Sequence, residues 1–295
     1  MRLRRSLVWC RGNDLSKYQA ALNGSVDVIV LDLEDGVVVS EKPRARECIS
    51  DILRNRAKDA KEHAVRVNAP GSPFFELDME AILPGVPDAI RLPKCETPEY
   101  VLHVDKILDQ YEKANGLPHN RIELILMIET PLGIMNVYNL ATCTDRVTAV
   151  GIGMEDLTGA IGVPRYYEVG SSDMLYAKQK LVLEAKAAGV QALDSGTLFL
   201  GELEYMSKDS MFSRRTGFDG RSIKDVAQAD VVNAAFSPTQ EEIEWAKTII
   251  AEYQKATERG ESDLFINDRF IDPPVIMKAQ NILKRHELIQ AKSKC

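Results

Sequence analysis

The chain has 295 residues, 45% of them hydrophobic and 27% charged, with a formal net charge of −7. These values fit a globular protein made of two domains or of one large α/β barrel with a tail. The negative charge argues against a surface for nucleic acid or for an anionic membrane, because both need clustered positive charge.

Other sequence features exclude further classes of protein. No apolar run approaches the ~20 residues that a transmembrane helix needs, and the basic start leads into a run too short for a signal peptide. The five cysteines have no paired spacing, which indicates a reducing compartment, and we expect a cytoplasmic protein. None of the four histidines follows the end of a predicted strand, so neither a histidine-rich metal site nor a Ser-His-Asp triad is expected.

Short apolar segments alternate with helical segments through most of the chain. The predicted strands are 5–9, 26–33, 63–68, 89–94, 122–129, 147–154, 191–194 and 221–225. The predicted helices between and after them are 14–22, 41–56, 76–83, 98–112, 133–140, 173–188 and 207–216. Eight such repeats predict an α/β fold, a (β/α)₈ TIM barrel. A doubly wound sheet is the main alternative, but no Gly-x-Gly-x-x-Gly turn follows the first strand.

The last part of the chain has a different character. It contains a predicted helix at 239–258, a linker at 260–263, a short extended piece at 264–267 and a final helix at 273–290. A barrel does not need these elements. We therefore predict a barrel domain at 1–236 and a C-terminal helical extension at 237–295, which covers the barrel mouth or reaches a neighbouring subunit.

Polar side chains stand at the ends of several predicted strands. In a barrel they would meet at the C-terminal face, where active sites are built. Each one alone could be a surface residue or a helix cap, but Arg66 and Glu129 interrupt or end runs that are otherwise apolar, and buried charge is costly unless it is paired or holds a metal. The candidates for catalysis or binding are Glu34, Asp35, Arg66, Lys94, Glu129 and Asp156.

Glu129 and Asp156 end or follow neighbouring strands and are the predicted metal ligands. Two carboxylates favour a hard cation, Mg²⁺ or Mn²⁺, with positions left for substrate oxygens. Such a cation polarises a carbonyl and stabilises an enolate when a C–C bond breaks. Arg66 could bind a substrate carboxylate or pair with Glu34 or Asp35. Lys94 could form an imine with a keto substrate, although an electrostatic role is preferred.

These residues carry a resemblance to the citrate lyase β-subunit-like branch of the HpcH/HpaI aldolase family. The similar segments cover almost the whole chain, and they are specific as an ordered set. They are 30–36 (VLDLEDG), 66–68 (RVN), 92–94 (LPK), 128–133 (IETPLG), 153–157 (GMEDL), 175–178 (LYAK), 233–239 (NAAFSPT) and 270–274 (FIDPP).

The resemblance implies a metal-dependent (β/α)₈ barrel, usually trimeric, that makes or cleaves C–C bonds in acyl thioesters. It implies Mg²⁺ on Glu129 and Asp156 and a substrate carboxylate or carbonyl near Arg66. We expect Arg66, Lys94 and Glu129 to contact the substrate. The resemblance also implies that Asp272 enters the site of an adjacent protomer as a proton-transfer residue. The residues alone also allow Asp272 to be a helix N-cap before Pro273.

The chain departs from this resemblance around the last two strands. Relatives usually carry Ile-His-Pro where this chain has 224–226 (KDV), and segment 196–202 replaces an acid-rich stretch. The usual Tyr-Ala-Arg is Tyr-Ala-Lys at 176–178, and Arg11 stands where a proline is usual. The predicted metal ligands are kept, so these departures concern the acyl carrier more than the enolate chemistry.

Three functions follow from these observations. The first is a Mg²⁺-dependent carbon–carbon lyase or aldolase acting on a hydroxyacyl thioester of the citryl-, malyl- or citramalyl-CoA kind. The second is a metal-dependent aldolase or hydrolase that acts on a free keto- or hydroxy-acid. The third is a non-catalytic assembly subunit, against which the retained Glu129, Asp156 and Arg66 argue. We expect a small-molecule carboxylate or thioester as partner, and a homo-oligomer, a trimer or a hexamer.

Overall fold

The predicted barrel is confirmed in the computed structural model, which describes residues 2–57, 61–260, 264–266 and 269–293. Eight parallel strands pair in sequence order, and β1 pairs with β8 to close the sheet. The strands are β1 (Ser6–Arg11), β2 (Val28–Asp32), β3 (Glu62–Arg66), β4 (Ala89–Leu92), β5 (Glu123–Ile128), β6 (Val147–Ile152), β7 (Gln191–Asp194) and β8 (Gly220–Ile223).

Helices follow the strands and surround the barrel. Those of the barrel unit are α1 (Leu15–Asn23), α2 (Lys42–Asn55), α3 (Phe75–Ile82), α4 (Pro98–Ala114), α5 (Pro131–Met135), α6 (Val137–Thr142), α7 (Met154–Ile161), α8 (Leu175–Ala187), α9 (Leu203–Thr216) and α10 (Ala229–Phe236). The single helix predicted at 133–140 is in fact two short ones, α5 and α6. The helices α7 and α10 were not predicted.

The strands are buried on both faces, which explains their nearly continuous apolar sequences. A small cluster fills the inside of the barrel, and a much larger one packs the strands against the helices. The inner cluster is Leu7, Val28, Val30, Ala64, Ala89, Ile125, Ala149 and Leu193. Small alanines from three strands alternate with larger side chains there, so that the barrel centre is solid rather than a channel.

A buried arginine joins several strands near their first residues. The Arg4 side chain is 1% exposed, and its guanidinium donates hydrogen bonds to Glu62 at the start of β3 and to Thr148 in β6. It also bonds Glu123 of β5 and Gln191 of β7. A charge removed from water in this way needs such partners. The N-terminal end of the barrel is therefore held by a polar network, and the opposite end remains for a binding site.

The chain divides into two compact units, Leu3–Phe236 and Ser237–Cys295. The second unit contains α11 (Gln240–Glu258), the strands β9 (Leu264–Ile266) and β10 (Arg269–Ile271), which pair antiparallel, and α12 (Pro273–Ser293). Thr239 caps α11 with Glu242 in the reciprocal arrangement that the sequence predicted. The predicted linker at 260–263 falls largely outside the described residues.

The second unit has an apolar core of its own. Residues of α11 and α12 form it, among them Ala246, Ile249 and Ala279, together with Ile271 of β10. The extended piece predicted at 264–267 is one strand of the β9–β10 hairpin, and β10 was not predicted. Among the helices that the structure describes, none has the length and apolar character needed to cross a bilayer.

Candidate active site

A cavity of about 90 Å³ opens at the C-terminal ends of the barrel strands. This is the face at which barrels build active sites. Strands on all sides of the barrel contribute to its lining, which includes Trp9, Arg66, Glu129, Asp156, Ser222 and Lys224. Three of these residues, Arg66, Glu129 and Asp156, are among the predicted candidates. The other three were not proposed as site residues from the sequence.

Glu129 directly follows β5 and is only 2% exposed. Its Oε1 accepts a hydrogen bond from the backbone N–H of Lys94, at 2.7 Å. Burial raises the pKa of Glu129 to about 7, and the nearby negative charges of Asp156 and Glu34 act in the same direction. A carboxylate in this position gains from a bound cation, because the cation would offset both the burial and the repulsion.

Asp156 lies in the first turn of α7, where a carboxylate is favoured by the helix dipole. It is exposed at the cavity, unlike Glu129. Glycine at 153, between β6 and α7, keeps the space beside Glu129 open, since a Cβ there would lie 2.6 Å from the Cβ of Glu129. The structure thus brings the two predicted metal ligands to one cavity.

The donor set fits a hard cation that keeps water or substrate ligands. Within the described residues, no three side chains of His, Cys, Asp or Glu are grouped so as to hold a metal by themselves. Two carboxylates are nevertheless a usual protein contribution to a Mg²⁺ site, because Mg²⁺ keeps several water or substrate oxygens. Glu129 and Asp156 are the residues that would hold it.

Arg66, the last residue of β3, is fixed by two acids from the second strand and the loop after it. Its Nε and Nη2 each donate to Asp32 at 2.7 Å, and its Nη1 lies 2.6 Å from Glu34. Burial lowers the pKa of Arg66, but Asp32 and Glu34 raise it by more. An arginine has five N–H donors, so these contacts leave two for a substrate oxygen. The predicted pairing with Glu34 is present, and Asp32 was not foreseen.

Asp32 also shapes the loop that carries Glu34 and Asp35. Its carboxylate accepts hydrogen bonds from the backbone N–H groups of Glu34 and Gly36. Glu34 is 4% exposed, and burial raises its pKa although Arg66 and Lys94 oppose the shift. The Asp35 side chain is 63% exposed and points to the rim. Glu34 is thus part of the buried charge network, whereas Asp35 is peripheral.

Lys94 follows β4 and forms ion pairs with two acids. Its Nζ is 3.3 Å from Glu34 and 3.8 Å from Asp35. Burial acts to lower the pKa of Lys94, but the two acids raise it by more. An imine-forming lysine needs a lowered pKa. The structure therefore favours the electrostatic role. The backbone of Lys94 is left-handed, with φ at 52°, and in this conformation its N–H group donates a hydrogen bond to Glu129.

Trp9 of β1 forms an aromatic wall that several cations contact. The guanidinium of Arg66 lies 4.4 Å from its ring centroid and that of Arg91 lies 4.5 Å away, while the Lys224 ammonium is at 5.5 Å. Arg91 is fully buried and donates to Ser222 Oγ at 3.1 Å. The same signal that identified Arg66, a charge inside an apolar strand, could have found Arg91.

Asp272 lies in the second unit, directly before α12. Its Oδ1 accepts a hydrogen bond from the backbone N–H of Val275, at 3.2 Å, and its carbonyl accepts from the N–H groups of Val275 and Ile276. This is the geometry of a helix N-cap. The cap agrees with one of the two interpretations of the sequence. It does not test the other, because an N-cap can also take part in proton transfer.

Comparisons with known proteins agree with the fold. A family model described as HpcH/HpaI aldolase/citrate lyase matches residues 5–225. The citrate lyase subunit beta of Leuconostoc mesenteroides subsp. cremoris is 31% identical, with 96% of this chain and 93% of that protein covered. The mitochondrial citramalyl-CoA lyase of Homo sapiens is 32% identical, with 94% and 84% covered.

Among solved structures, a citrate lyase beta subunit from Mycobacterium tuberculosis, complexed with oxaloacetate and magnesium, is 25% identical. It has a TM-score of 0.67, and the match covers 80% of this chain and 98% of that chain. The similarity therefore extends from sequence to three-dimensional fold.

Proposed function

Because the chain belongs to the HpcH/HpaI aldolase/citrate lyase family, we propose that it is a Mg²⁺-dependent carbon–carbon lyase for hydroxyacyl thioesters of the citryl-, malyl- or citramalyl-CoA kind. Family membership confirms the resemblance seen in the sequence and the predicted lyase class. The similar proteins named as citrate lyase subunit beta and citramalyl-CoA lyase support a thioester rather than a free acid as substrate.

The observation that carries this proposal is the buried carboxylate Glu129 next to Asp156 in the cavity. Burial and repulsion raise the pKa of Glu129, and these are conditions that a divalent cation relieves. Bound there, Mg²⁺ would polarise a carbonyl and favour the enolate that C–C cleavage produces. A relative of the same fold was solved with magnesium and oxaloacetate.

The protein's own residues bind and orient the substrate. In the cleavage direction, the hydroxyl group loses its proton and becomes a keto group, while the bonding electrons pass to the carbon next to the thioester. That carbon then takes up a proton, so the step is balanced without an oxidant. Arg66, held by Asp32 and Glu34, can direct its two remaining N–H groups at a carboxylate of the substrate. Lys94 contributes positive charge at the rim.

Three further points complete the proposal. Glu34 and Asp35 support catalysis through their pairs with Arg66 and Lys94. Asp272 transfers a proton in the site of an adjacent protomer, and the resemblance of segment 270–274 to the family supports this role. A trimer or a hexamer is then the active species, and the extension 237–295 supplies the residue that is shared.

The protein works in the cytoplasm, as the scattered cysteines support.

Metal-dependent stabilisation and cleavage together test the proposed function. We expect Mg²⁺ together with a small keto acid to raise the melting temperature of the protein. We also expect EDTA to abolish cleavage of the acyl-CoA substrate. A ligand at 100 times its dissociation constant adds about 2.7 kcal/mol. The double variant Glu129→Gln/Asp156→Asn should lose both effects. A double variant that binds Mg²⁺ as well as the wild type would exclude this site.

The matched control is Glu155→Gln. Glu155 is the sequence neighbour of Asp156, but it bonds the hydroxyl of Tyr167. We expect this variant to keep the Mg²⁺ response. Covalent trapping of substrate on Lys94 by borohydride would instead support imine chemistry. Activity on free acids but on no acyl-CoA would support the second function considered from the sequence.

A further inference from the structure

Lys224 gives one side of the cavity a positive charge. Trp9 and Lys224 come from the β1 and β8 side of the closed barrel, and Glu129 comes from β5 on the other side. The acids Glu129 and Asp156 give the β5–β6 side its negative charge. A substrate in this cavity therefore meets a metal site at one end and cations at the other.

The three cations that contact Trp9 differ in how well they are neutralised. Arg66 is paired with Asp32 and Glu34. Arg91 makes hydrogen bonds to the sulfur of Met127 and to the Ser222 hydroxyl, neither of which carries a charge. Its buried Nη1 has no hydrogen-bond partner among the described residues. A buried positive charge without an ion-paired carboxylate among the described residues therefore lies against the ring of Trp9, which lines the cavity.

Lys224 adds a second such charge, and it lines the cavity itself. Its ammonium lies over the Trp9 ring, and within the described residues it has no ion pair with an acid. Burial lowers the pKa of Lys224, and among its charged neighbours Arg66, Lys17 and Arg91 act in the same direction, whereas Asp32 alone opposes them. An anion bound beside Lys224 would relieve this surplus of positive charge.

The size of the cavity limits what this anion can be. About 90 Å³ is far below the roughly 300–1,000 Å³ of sites that enclose larger organic ligands. The anion enclosed beside Trp9 is therefore a small group. A carboxylate on a small keto acid is such a group, and Lys224 and the two acids that would hold the metal line the same cavity.

We propose that Lys224 binds a second carboxylate on the keto-acid half of the substrate. The protein then prefers substrates whose cleavage releases a dicarboxylic keto acid over those that release a monocarboxylic one. This inference rests on the proposed function and narrows it to the citryl kind of thioester. Lys224 stands in segment 224–226, where the chain departs from the family resemblance, so this residue distinguishes the chain from relatives with Ile-His-Pro there.

Two keto acids that differ by one carboxylate test this proposal. Binding of oxaloacetate and of pyruvate is measured by calorimetry in the presence of Mg²⁺, for the wild type and for Lys224→Met. A charge-assisted hydrogen bond is lost only for oxaloacetate, so we expect its affinity to fall roughly 10- to 100-fold. The affinity for pyruvate should change by less than about threefold, and Lys224→Arg should restore part of the preference.

The control variant is Lys113→Met. It removes one positive charge from an exposed side chain on α4, outside the cavity, and should change neither affinity. If Lys224→Met fails to fold, Lys224→Gln, which keeps a polar end, takes its place. Equal losses for both acids, or no loss for either, would overturn the role of Lys224. If the wild type binds neither acid with Mg²⁺, the proposed function itself is wrong.

Discussion

Glu129 depends on three neighbours, one after β4 and two at the junction of β6 and α7. The backbone of Lys94 donates to it, the charge of Asp156 faces it, and Gly153 leaves room for it. None of the three contacts comes from an adjacent residue in the sequence. The position of this carboxylate is therefore set by the packing of β4, β5 and β6 together.

Gly153 gives a test of how closely Glu129 must be placed. The backbone at 153, with φ at −101° and ψ at 89°, does not require glycine. In Gly153→Ala the added methyl group would instead meet the Glu129 side chain, since it would lie 2.6 Å from Cβ. We expect Mg²⁺ affinity to fall roughly 10- to 100-fold, as for other changes that displace a ligand indirectly. Titration of Mg²⁺ by calorimetry measures this.

Gly159→Ala is the matched control for this change. Gly159 lies in α7, and a Cβ there would meet nothing within 4 Å. The variant should bind Mg²⁺ like the wild type and gain about 0.5–1 kcal/mol of stability, because alanine loses less entropy in a helix. If Gly153→Ala binds Mg²⁺ as tightly as the wild type does, the prediction is wrong and the site tolerates movement of Glu129.

Charged residues inside apolar strands could be identified from the sequence, whereas site residues that look like ordinary strand residues were missed. Arg66 and Glu129 interrupt apolar strands, so they could be recognised. Trp9 also lies in an apolar strand, where it looks like an ordinary core residue. Its exposure to the cavity depends on strand register and on which end of the barrel is open. Lys224 lies inside the predicted strand 221–225, whereas β8 ends at Ile223, and nothing local indicates that it contacts a ring from β1.

At the scale of elements, β3 carries a buried histidine. His63 is 0% exposed, and its Nδ1 must be the donor to the carbonyl of Lys61, at 2.6 Å, because a carbonyl only accepts. Its Nε2 can then accept from the hydroxyl of Tyr18, at 3.2 Å. Burial, together with the charge of Arg56, lowers the pKa of His63 to about 4. The neutral ring is the form that the native state holds.

This histidine predicts a pH dependence of stability. Below pH 6.5 the unfolded chain binds a proton at residue 63, whereas the native protein does so only near pH 4. The contribution of His63 to the free energy of unfolding should therefore be constant above pH 6.5. As the pH falls from 6.5 to 4, the free energy of unfolding should decrease by about 3 kcal/mol. Urea unfolding of the wild type and of His63→Gln checks this. The variant should lose less stability over this range, and parallel curves would contradict the prediction.

The element types were largely predictable, whereas several boundaries were not. Strands of a barrel are continuous apolar runs, which identifies them, and Thr239 with Glu242 marks the start of α11. The sixth strand was predicted to run to residue 154, but β6 ends at Ile152 and α7 begins at Met154. Asp156 therefore reaches the cavity from a helix and not from a strand. Of the β9–β10 pair only β9 was predicted from the sequence. Two paired strands of three residues each are too short to show a recognisable apolar pattern.

At the scale of the whole molecule, one substitution at Asp272 distinguishes a helix cap from a proton-transfer group. If Asp272 is only a cap, Asp272→Asn should cost little, since asparagine caps about as well. If it transfers a proton in a neighbouring protomer, the change should leave folding and Mg²⁺ binding intact and lower turnover by roughly 10²–10⁴-fold. Steady-state kinetics and Mg²⁺ titration of this variant distinguish the two roles.

Subunit exchange tests whether the site is shared. Asp272→Asn and Glu129→Gln, each inactive alone, are mixed and allowed to exchange subunits. Some sites in the mixed oligomers then have both groups intact, so activity should reappear. Exchange is followed with two differently tagged chains, and the doubly substituted protein serves as the inactive reference. No recovery despite complete exchange would mean that Asp272 does not act across an interface.

Closure of the barrel between β1 and β8 has a consequence for protein synthesis. Trp9 leaves the ribosome well before Lys224, which follows only after almost the whole barrel sequence. Until then β1 has one edge without its final partner, and exposed strand edges invite pairing with other chains. An unfinished chain therefore has no cavity and can aggregate through that edge, so chaperones that shield nascent chains should increase the yield of active enzyme.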